Sequence, residues 1–590
     1  MAITALAQNL AEIQLADQYA AQGENAKAIS IYEKLEKNSK NIPQIHERYF
    51  QLLLITGEFD KAEKYVDKAI KQYPTNLFYQ IDKGLIYVQL NEKQQAKKYY
   101  DGLISAWSDD PFKVRVAAQH FIRLQQYDNA IDIYKQSRKK LNNPYEYSIQ
   151  LASIYRIANK QVEMIEEYLN YLHESQNSVA SIKNIMQNIL IEDQDLELFE
   201  NIMYAKIQEQ PENIQYSELL IWVNLQRKNF YSAFIQARAI DKRMNLMGTE
   251  LMDIGRIAIE NKDFKNSLRI YTYVIDEYPQ TPNYQIARRM AIYCREELVK
   301  NTYPVNTTEI NILINDYKNL IAELGLNQYT AEAMRSEAYL YAFYIGNHDQ
   351  AIQLLQTLIR SSNISKPIID QAKLDLGDIY LLTGEPWEAT LLYSQVEKSS
   401  KETPIGYEAK LRNAKLNYYN GEFELAQGHL DILKLATTRE ISNDAMALSL
   451  LIKDNYTKDS SDNALKRYAD IELLIFKNRK DKAYALLDQL KNDYPLHPLQ
   501  DEILYKQALL SMEMGNFSKA LIALNEIVDK YGTDILGDDA LFLCGTVTEE
   551  YLHDKSAAME IYQSFLVKYP GSNHAADARK RFRQLRGDTL

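Results

Sequence analysis

Apolar and polar residues alternate along this chain at the spacing of amphipathic helices, and the helical segments themselves recur. The clearest mark is a small residue followed four positions later by tyrosine, which places both side chains on one helix face. This pair occurs at Ala28/Tyr32, Ala96/Tyr100, Ala130/Tyr134, Ser267/Tyr271, Ala389/Tyr393 and Ala558/Tyr562. The small position, which we call the anchor, falls at Ala28, Ala62, Ala96, Ala130 and Met164 with a constant spacing of 34 residues. The later anchors Ala389, Ala426, Ala483, Ala520 and Ala558 are mostly 37 or 38 residues apart.

A turn signal and a stop signal accompany the anchor. Five positions before it, nine of thirteen units carry glycine or asparagine, the residues that tolerate a left-handed backbone after a helix. They are Gly23, Gly57, Gly346, Gly384, Gly421, Gly515, Asn91, Asn159 and Asn478. Twelve positions after the anchor stand Pro74, Pro279, Pro495 and Pro570, and proline cannot continue a helix. Each unit is therefore predicted to be a helix A, a tight turn, a helix B and a break.

A single hairpin of this kind cannot bury both of its apolar faces, so neighbouring hairpins have to stack. The composition agrees, because the 590 residues include only 19 glycines and 14 prolines, whereas the 44 tyrosines match the periodic aromatic positions. We predict an all-α protein, an α-solenoid of about fourteen hairpins, in which the anchor lets helices A and B approach closely.

The 34-residue period with these Gly, Tyr, Ala and Pro positions resembles the tetratricopeptide repeat (TPR) family. The resemblance covers most of residues 10–295 and about 330–590, and it implies a right-handed superhelix that binds proteins. The segment 562–586, with its Tyr-Pro-Gly-Ser and Ala-Ala run, resembles hairpins of bacterial envelope TPR proteins. Examples are the Tol-associated periplasmic TPR protein and the TPR lipoprotein of the outer-membrane barrel assembly machine.

Interruptions of the period suggest where the chain divides. We expect TPR arrays at residues 8–298, 330–453 and 464–590. A linker with an irregular helix is expected at 299–329, where the spacing breaks, and a polar linker at 454–463. The acids of the polar linker lack the central glycine and closing glutamate of a calcium-binding EF-hand loop, so we expect a solvated connection there.

The first residues carry a feature of exported proteins. Ala5-Leu6-Ala7 has the small-x-small form that signal peptidase cleaves after, and residues 1–7 are interpreted as a signal-peptide remnant. Together with the resemblance of residues 562–586, this predicts the periplasm or the outer-membrane periphery of a Gram-negative bacterium. The cytoplasm is the alternative, because no basic segment and no long apolar segment precede the cleavage motif.

No arrangement of catalytic, cofactor-binding or metal-binding residues is visible. The chain has no phosphate-binding glycine loop, no H-E-x-x-H and no G-x-S-x-G, and its eight histidines are scattered. We therefore predict no enzyme, no cofactor and no metal. Cys294 and Cys544 are expected to be two buried free thiols. The net charge of −12 disfavours nucleic acid, and no apolar run is long enough to span a membrane.

The predicted function is a scaffold that binds protein or peptide partners through the groove lined by helix A, with residues 10–295 as the docking surface. The alternative is a cytoplasmic TPR adaptor or co-chaperone. Candidate groove contacts are Arg115, Gln119 and Arg156. The positions of the family's carboxylate clamp read Glu47, Gln51, Ile81, Leu85, Arg115, Gln119, Ile149 and Ser153, which does not support such a clamp.

The last helix is strongly basic, with Arg579, Lys580, Arg581, Arg583 and Arg586. Such a helix serves as the polar cap of a solenoid. The sharper interpretation is peripheral contact with an anionic lipid or an acidic partner. The sequence leaves the oligomeric state open.

Overall fold

The computed structural model describes residues 2–173, 178–435, 439–456 and 463–587. Within these ranges the regular structure consists of helices joined by short turns, and no β-strand is present there. The all-α solenoid predicted from the sequence is confirmed. The chain divides into two compact units, Met1–Asn229 and Phe230–Leu590, called unit 1 and unit 2.

Unit 1 contains the first thirteen α-helices. Their bounds are α1 Ala2–Ala21, α2 Asn25–Leu35, α3 Ile42–Ile55, α4 Phe59–Gln72, α5 Leu77–Gln89, α6 Lys93–Trp107, α7 Pro111–Arg123, α8 Tyr127–Leu141, α9 Ser148–Ile157, α10 Gln161–Asn170, α11 Ser178–Ile189, α12 Asp193–Glu209 and α13 Ile214–Gln226. Short 3-10 turns occupy Ser39–Asn41 and Tyr171–His173.

Unit 2 contains the remaining helices. Their bounds are α14 Phe230–Met244, α15 Thr249–Glu260, α16 Phe264–Glu277, α17 Asn283–Lys300, α18 Thr307–Leu324, α19 Thr330–Leu340, α20 His348–Arg360, α21 Lys366–Thr383, α22 Pro386–Ser399, α23 Pro404–Tyr419, α24 Phe423–Leu433, α25 Arg439–Asn455, α26 Asn463–Phe476, α27 Lys480–Asp493, α28 Gln500–Glu513, α29 Phe517–Lys530, α30 Gly537–Glu550, α31 Lys555–Lys568 and α32 Ala575–Arg586. A single π-helical turn, Tyr341–Ile345, extends α19.

The turn between helices A and B has the left-handed backbone that the glycine and asparagine positions predicted. All nine of those residues have positive φ, and so do the residues at the same position in the other four units, Gln125, Lys228, Lys262 and His553. Since a side chain with a Cβ is strained in this region, the hairpin imposes the turn even where the local residue opposes it.

Small residues and tyrosines meet between the two helices of each hairpin. The nine anchors Ala28, Ala62, Ala96, Ala130, Ala389, Ala426, Ala483, Ala520 and Ala558 are between 0% and 4% exposed. A glycine of helix A makes room for the tyrosine of helix B. A Cβ added at Gly84 would lie 2.3 Å from the ring of Tyr100, and one at Gly377 would lie 2.4 Å from Tyr393. This contact explains why a large aromatic recurs at a fixed distance from a glycine.

Helix B ends where proline predicted it. The helices α4, α16, α27 and α31 each end two residues before Pro74, Pro279, Pro495 and Pro570, respectively. Cys294 and Cys544 are buried free thiols, as predicted.

The observed segments differ in part from the expected array boundaries. The division between the two compact units falls between Asn229 and Phe230 in the sequence, inside the expected array 8–298. The segment 299–329 holds the regular helix α18 rather than an irregular one. Of the expected polar linker, Asp454 and Asn455 end α25 and Asn463 begins α26, while residues 457–462 lie outside the described residues. Of the expected signal remnant, residues 2–7 have helical backbone, and Met1 lies outside the described residues.

Unit 2 contains contacts between residues far apart in the sequence. The Asn478 side-chain amide donates a hydrogen bond to the Phe343 backbone carbonyl over 3.1 Å, and the rings of Phe343 and Phe476 lie 5.8 Å apart. The Tyr551 hydroxyl donates to the Asn301 carbonyl over 3.4 Å. The early repeats of unit 2 therefore touch its late repeats. We call the group Phe343, Phe476 and Asn478 the lateral contact.

Candidate protein-binding cavity

The residues that the sequence assigned to the groove lie on helix A of their repeats. Arg115 and Gln119 are exposed on α7, and Arg156 is exposed on α9. Ile81, at one of the clamp positions, is fully buried in the hydrophobic core. Ile81 therefore does not reach the groove surface, because the helix turns this residue toward the neighbouring hairpin instead of toward solvent.

A buried polar column joins three A helices of unit 1. Asp82 on α5 accepts hydrogen bonds from His46 on α3 and from His120 on α7, both at 2.8 Å. All three residues are buried: Asp82 is 4% exposed, His46 is 7% exposed and His120 is 3% exposed. Arg123 donates to Nδ1 of His120 at 2.8 Å. Since arginine can only donate, the hydrogen of His120 sits on Nε2 and points to Asp82.

The polar column is complete without a ligand on its carboxylate. Burial alone would raise the pKa of Asp82, but the hydrogen bonds from His120 and His46 lower the pKa below its usual value. The carboxylate is thus ionised and satisfied on both oxygens. These polar groups of unit 1 hold repeats together and are not free to bind a partner.

A cavity with a volume of about 870 Å³ lies in unit 2. Its walls are α23, α25, α26, α28 and the loop at residues 533–536. This volume falls in the range of specific ligand sites in proteins.

The cavity exists because α25 is an additional helix in the array. α26 packs directly against α23, continuing the succession of A helices, while α25 packs mainly on α24. α25 therefore has no helix B of its own. It stands beside the array as a wall, and the space between this wall and the A helices is the cavity.

One side of the cavity is a fixed polar surface. Glu472 on α26 accepts a hydrogen bond from the Tyr418 hydroxyl at 2.8 Å and forms an ion pair with Lys506 at 2.8 Å. Three helices, α23, α26 and α28, are thereby tied together at the cavity floor, so that their spacing is set before any ligand binds.

The opposite side offers apolar surface. Leu450 on α25 is 41% exposed, and Ile535 in the loop is 71% exposed. Leu448 and Leu451 beside Leu450 are partly buried and also line the cavity. Apolar walls with a few placed polar groups are typical of sites that take a polypeptide segment.

One end of the cavity is acidic. Asp501 and Glu502 occupy the first turn of α28, where the helix dipole favours negative charge. Burial raises the pKa of Glu502 well above its usual range, and the hydrogen bond to Asp501 and the charges of Asp501 and Asp454 raise it further. The two adjacent carboxyl groups therefore hold a proton at neutral pH.

Sequence reasoning missed this cavity and placed the docking surface at residues 10–295. The cavity residues come from five separate segments between Lys415 and Leu536, and no one segment carries a recognisable motif. The only local signal was the polar stretch after α25, which the sequence analysis interpreted as a linker.

Other kinds of site find no support in the described part of the chain. Nowhere in it do three or more His, Cys, Asp or Glu side chains converge so that they could hold a metal ion. None of the helices described has the length and apolarity that a membrane crossing requires.

The solved structures similar to the chain include Naa15/Naa10 bound to HypK-THB, with 12% identity, coverage of 98% of this chain and 96% of that one, and a TM-score of 0.27. Yeast Tom70 has 14% identity, coverage of 93% and 97%, and a TM-score of 0.26. A tetratricopeptide repeat protein from Parabacteroides merdae has 10% identity, coverage of 58% and 99%, and a TM-score of 0.22. No curated protein sequence matches the chain.

Models of protein families identify the repeats directly. Two models described as tetratricopeptide repeat match this sequence, one at residues 13–76 and 339–402, the other at 502–533. Both describe a repeat that typically serves as a non-catalytic scaffold for protein–protein interaction. The third segment, 502–533, begins at Glu502 in the cavity. The chain therefore carries tetratricopeptide repeats in both of its compact units.

Proposed function

We propose that this chain is a non-enzymatic scaffold that holds a partner protein by binding a polypeptide segment of that partner in the cavity of unit 2. The cavity carries the proposal, because it combines a volume of about 870 Å³ with exposed apolar side chains and a fixed polar floor. A solenoid offers such a site on a rigid frame, so that little ordering is needed when the segment binds.

Site-specific photocrosslinking in cells tests this function. A photoreactive amino acid at Leu450 or Ile535 should form adducts with a partner polypeptide, since both side chains are exposed in the cavity. The matched control is Ile522 on α29, which is 68% exposed but does not line the cavity. Adducts of equal amount at all three positions, or none at Leu450 and Ile535, would contradict the proposal.

We further propose that the scaffold works in the envelope of a Gram-negative bacterium, organising a complex in the periplasm or at the outer-membrane periphery. The support is the Ala5-Leu6-Ala7 motif and the resemblance of residues 562–586 to envelope TPR hairpins. The full genomic reading frame should be expressed with a C-terminal tag and fractionated by osmotic shock. Release of a processed protein with periplasmic markers is expected. A tag found only with cytoplasmic markers on an unprocessed protein would favour the cytoplasmic adaptor instead.

A further inference from the structure

Within the described residues, the acidic end of the cavity has no positively charged partner. Six carboxyl groups line the whole cavity, at Asp444, Asp454, Glu472, Asp501, Glu502 and Asp534, against two lysines, Lys415 and Lys506. Both lysines are already engaged, Lys506 with Glu472 and Lys415 with Asp444. No described lysine, arginine or histidine forms an ion pair with Asp501 or Glu502. The negative charge at this end is therefore not compensated by any side chain that the structure describes.

Two buried acceptors in the same cavity also find no donor among the described residues. Asn455 at the end of α25 is 6% exposed, and its amide nitrogen donates to the Leu451 carbonyl at 2.9 Å. Its Oδ1 is buried and accepts no hydrogen bond from a described residue, and the same holds for Oε2 of Glu502. A buried acceptor without a donor costs about 1–3 kcal/mol. Both atoms belong to residues that line the cavity, on two different helices.

We infer that the partner segment inserts an arginine side chain at this end of the cavity, with its guanidinium between Asn455 and the carboxyl groups of Asp501 and Glu502. This inference rests on the proposed function, because it names the chemistry of the segment that the cavity holds. A guanidinium presents five N–H donors in a rigid fork, which suits several acceptors on separate helices. A lysine ammonium is a point charge with only three N–H donors, and these are not held in a rigid fork.

The apolar walls favour a polypeptide over a free amine. The stem of a bound arginine is apolar and packs along hydrophobic surface. Leu448, Leu450 and Leu451 on α25 offer such surface next to Asn455. The exposed part of Leu450 and Ile535 remains for apolar residues that flank the arginine. A small polyamine would leave this apolar surface unused.

The proton held by Glu502 predicts a pH dependence of arginine binding. Because Glu502 holds its proton in the free protein, an arriving cation should displace that proton and favour the ionised carboxylate. Binding should therefore release a proton and strengthen as the pH rises. The other charged and titratable groups that line the cavity with Glu502 are Lys415, Tyr418 and Tyr419 on α23, Asp444 and Asp454 on α25, Tyr468 and Glu472 on α26, Asp501, Tyr505 and Lys506 on α28, and Asp534 in the loop.

The probe is a set of 12-residue peptides selected from a phage-displayed random library on the full chain. Peptides that block photocrosslinking at Leu450 should be enriched in arginine flanked by apolar residues. Replacing the arginine by citrulline, its neutral isostere, should weaken binding about tenfold or more, the size of a lost charge-assisted hydrogen bond. The variants Glu502→Gln and Asn455→Leu should weaken binding of the arginine peptide similarly and leave the citrulline peptide unaffected.

The control variant is Asp488→Asn, which removes one exposed carboxylate on α27 outside the cavity. It should bind like the parent. Glu502→Gln keeps the shape of the protonated side chain, so an unchanged helical spectrum is expected, and its peptide affinity should no longer rise between pH 6 and 8.

The outcomes separate the two proposals. If peptides block crosslinking at Leu450 but bind equally well with citrulline and to both variants, the arginine inference is wrong and the proposed function stands. If the selected peptides carry acidic or purely apolar residues, the inference is likewise wrong. If no selected peptide blocks crosslinking at Leu450, the proposed function fails together with the inference.

Discussion

In unit 1 the anchors from Ala28 to Met164 repeat every 34 residues, and Asp82 joins three A helices through its hydrogen bonds with His46 and His120. In unit 2 the spacing lengthens, the additional helix α25 stands beside the array, and the chain returns to touch itself at the lateral contact. The cavity belongs to the irregular unit. The difference shows how a solenoid can gain a cavity, since an inserted helix without a helix B of its own leaves a space between itself and the A helices.

The buried polar column should be the most sensitive feature of unit 1. Asp82→Ala leaves the Nε2–H groups of His46 and His120 buried without an acceptor, so the free energy of unfolding should fall by about 2–5 kcal/mol. Hydrogen exchange should show the loss in α3, α5 and α7 but not in unit 2, because repeats are stabilised by their neighbours. A loss below about 1 kcal/mol would mean that the column contributes little.

The lateral contact should matter only in unit 2. Phe343→Ala removes the ring that meets Phe476, and a partly buried aromatic of this kind should cost about 1–3 kcal/mol. Hydrogen exchange should increase in the residues around Asn478, which is 135 positions away in the sequence. Phe112→Ala, at a 71% exposed position in unit 1, is the control and should change little. No change near Phe476 would show that the contact is not coupled to stability.

The packing of a helix A glycine on a helix B tyrosine occurs in both units. Substituting this glycine should therefore lower the free energy of unfolding by a similar amount in both. Gly84→Ala and Gly377→Ala place a Cβ 2.3 and 2.4 Å from a tyrosine ring, and overpacking should cost about 1–3 kcal/mol. Gly102 on α6 has nothing within 4 Å of an added Cβ, so Gly102→Ala should stabilise by about 0.5–1 kcal/mol. Urea unfolding of the three variants measures this. A much smaller loss in unit 2 would mean that its hairpins are looser.

The free energies of unfolding of the two units should depend on pH in opposite directions. Burial raises the pKa of Asp378 in unit 2 to about 6 from its usual 3.8, against the opposing charge of Arg412. A raised pKa means that protonation favours the folded state, so unit 2 should lose about 1–2 kcal/mol as the pH rises from 4 to 6. The lowered pKa of Asp82 contributes stability that is complete above about pH 4 and lost only below it. Hydrogen exchange at several pH values measures both units. Asp378→Asn should reduce the fall in unit 2 but not abolish it, because the raised pKa of Glu502 contributes a fall in the same direction.

The smallest expected effect concerns the left-handed turns that lack glycine. Gln125→Gly in unit 1 and His553→Gly in unit 2 relieve a side chain held at positive φ, and each should raise the free energy of unfolding by about 0.5–1 kcal/mol. Equal gains would show that the turn is under the same constraint in both units. A loss at either position would mean that its side chain makes a contact that outweighs the strain.

Much of the hairpin could be predicted from the sequence, because its determinants act over short distances. A glycine or asparagine in the turn, an alanine at the anchor and a tyrosine one helical turn later lie within about ten residues of one another. Steric fit at this range depends on residue type alone. The predicted turn also forms where the turn position lacks glycine or asparagine, since Gln125 adopts the same left-handed conformation as the glycines at this position in other units.

The cavity could not be found in this way. Asn455 and Glu502 are unremarkable in the sequence, and they line one cavity only because α26 packs on α23 and leaves α25 beside them. The same packing removes both acceptors from water, which is why one carboxyl group keeps its proton and why an arginine donor is expected there. The sequence by itself determined the repeating hairpin, whose contacts are local. The tertiary structure alone decided where the array opens, because burial and charge at that point depend on helices distant in the chain.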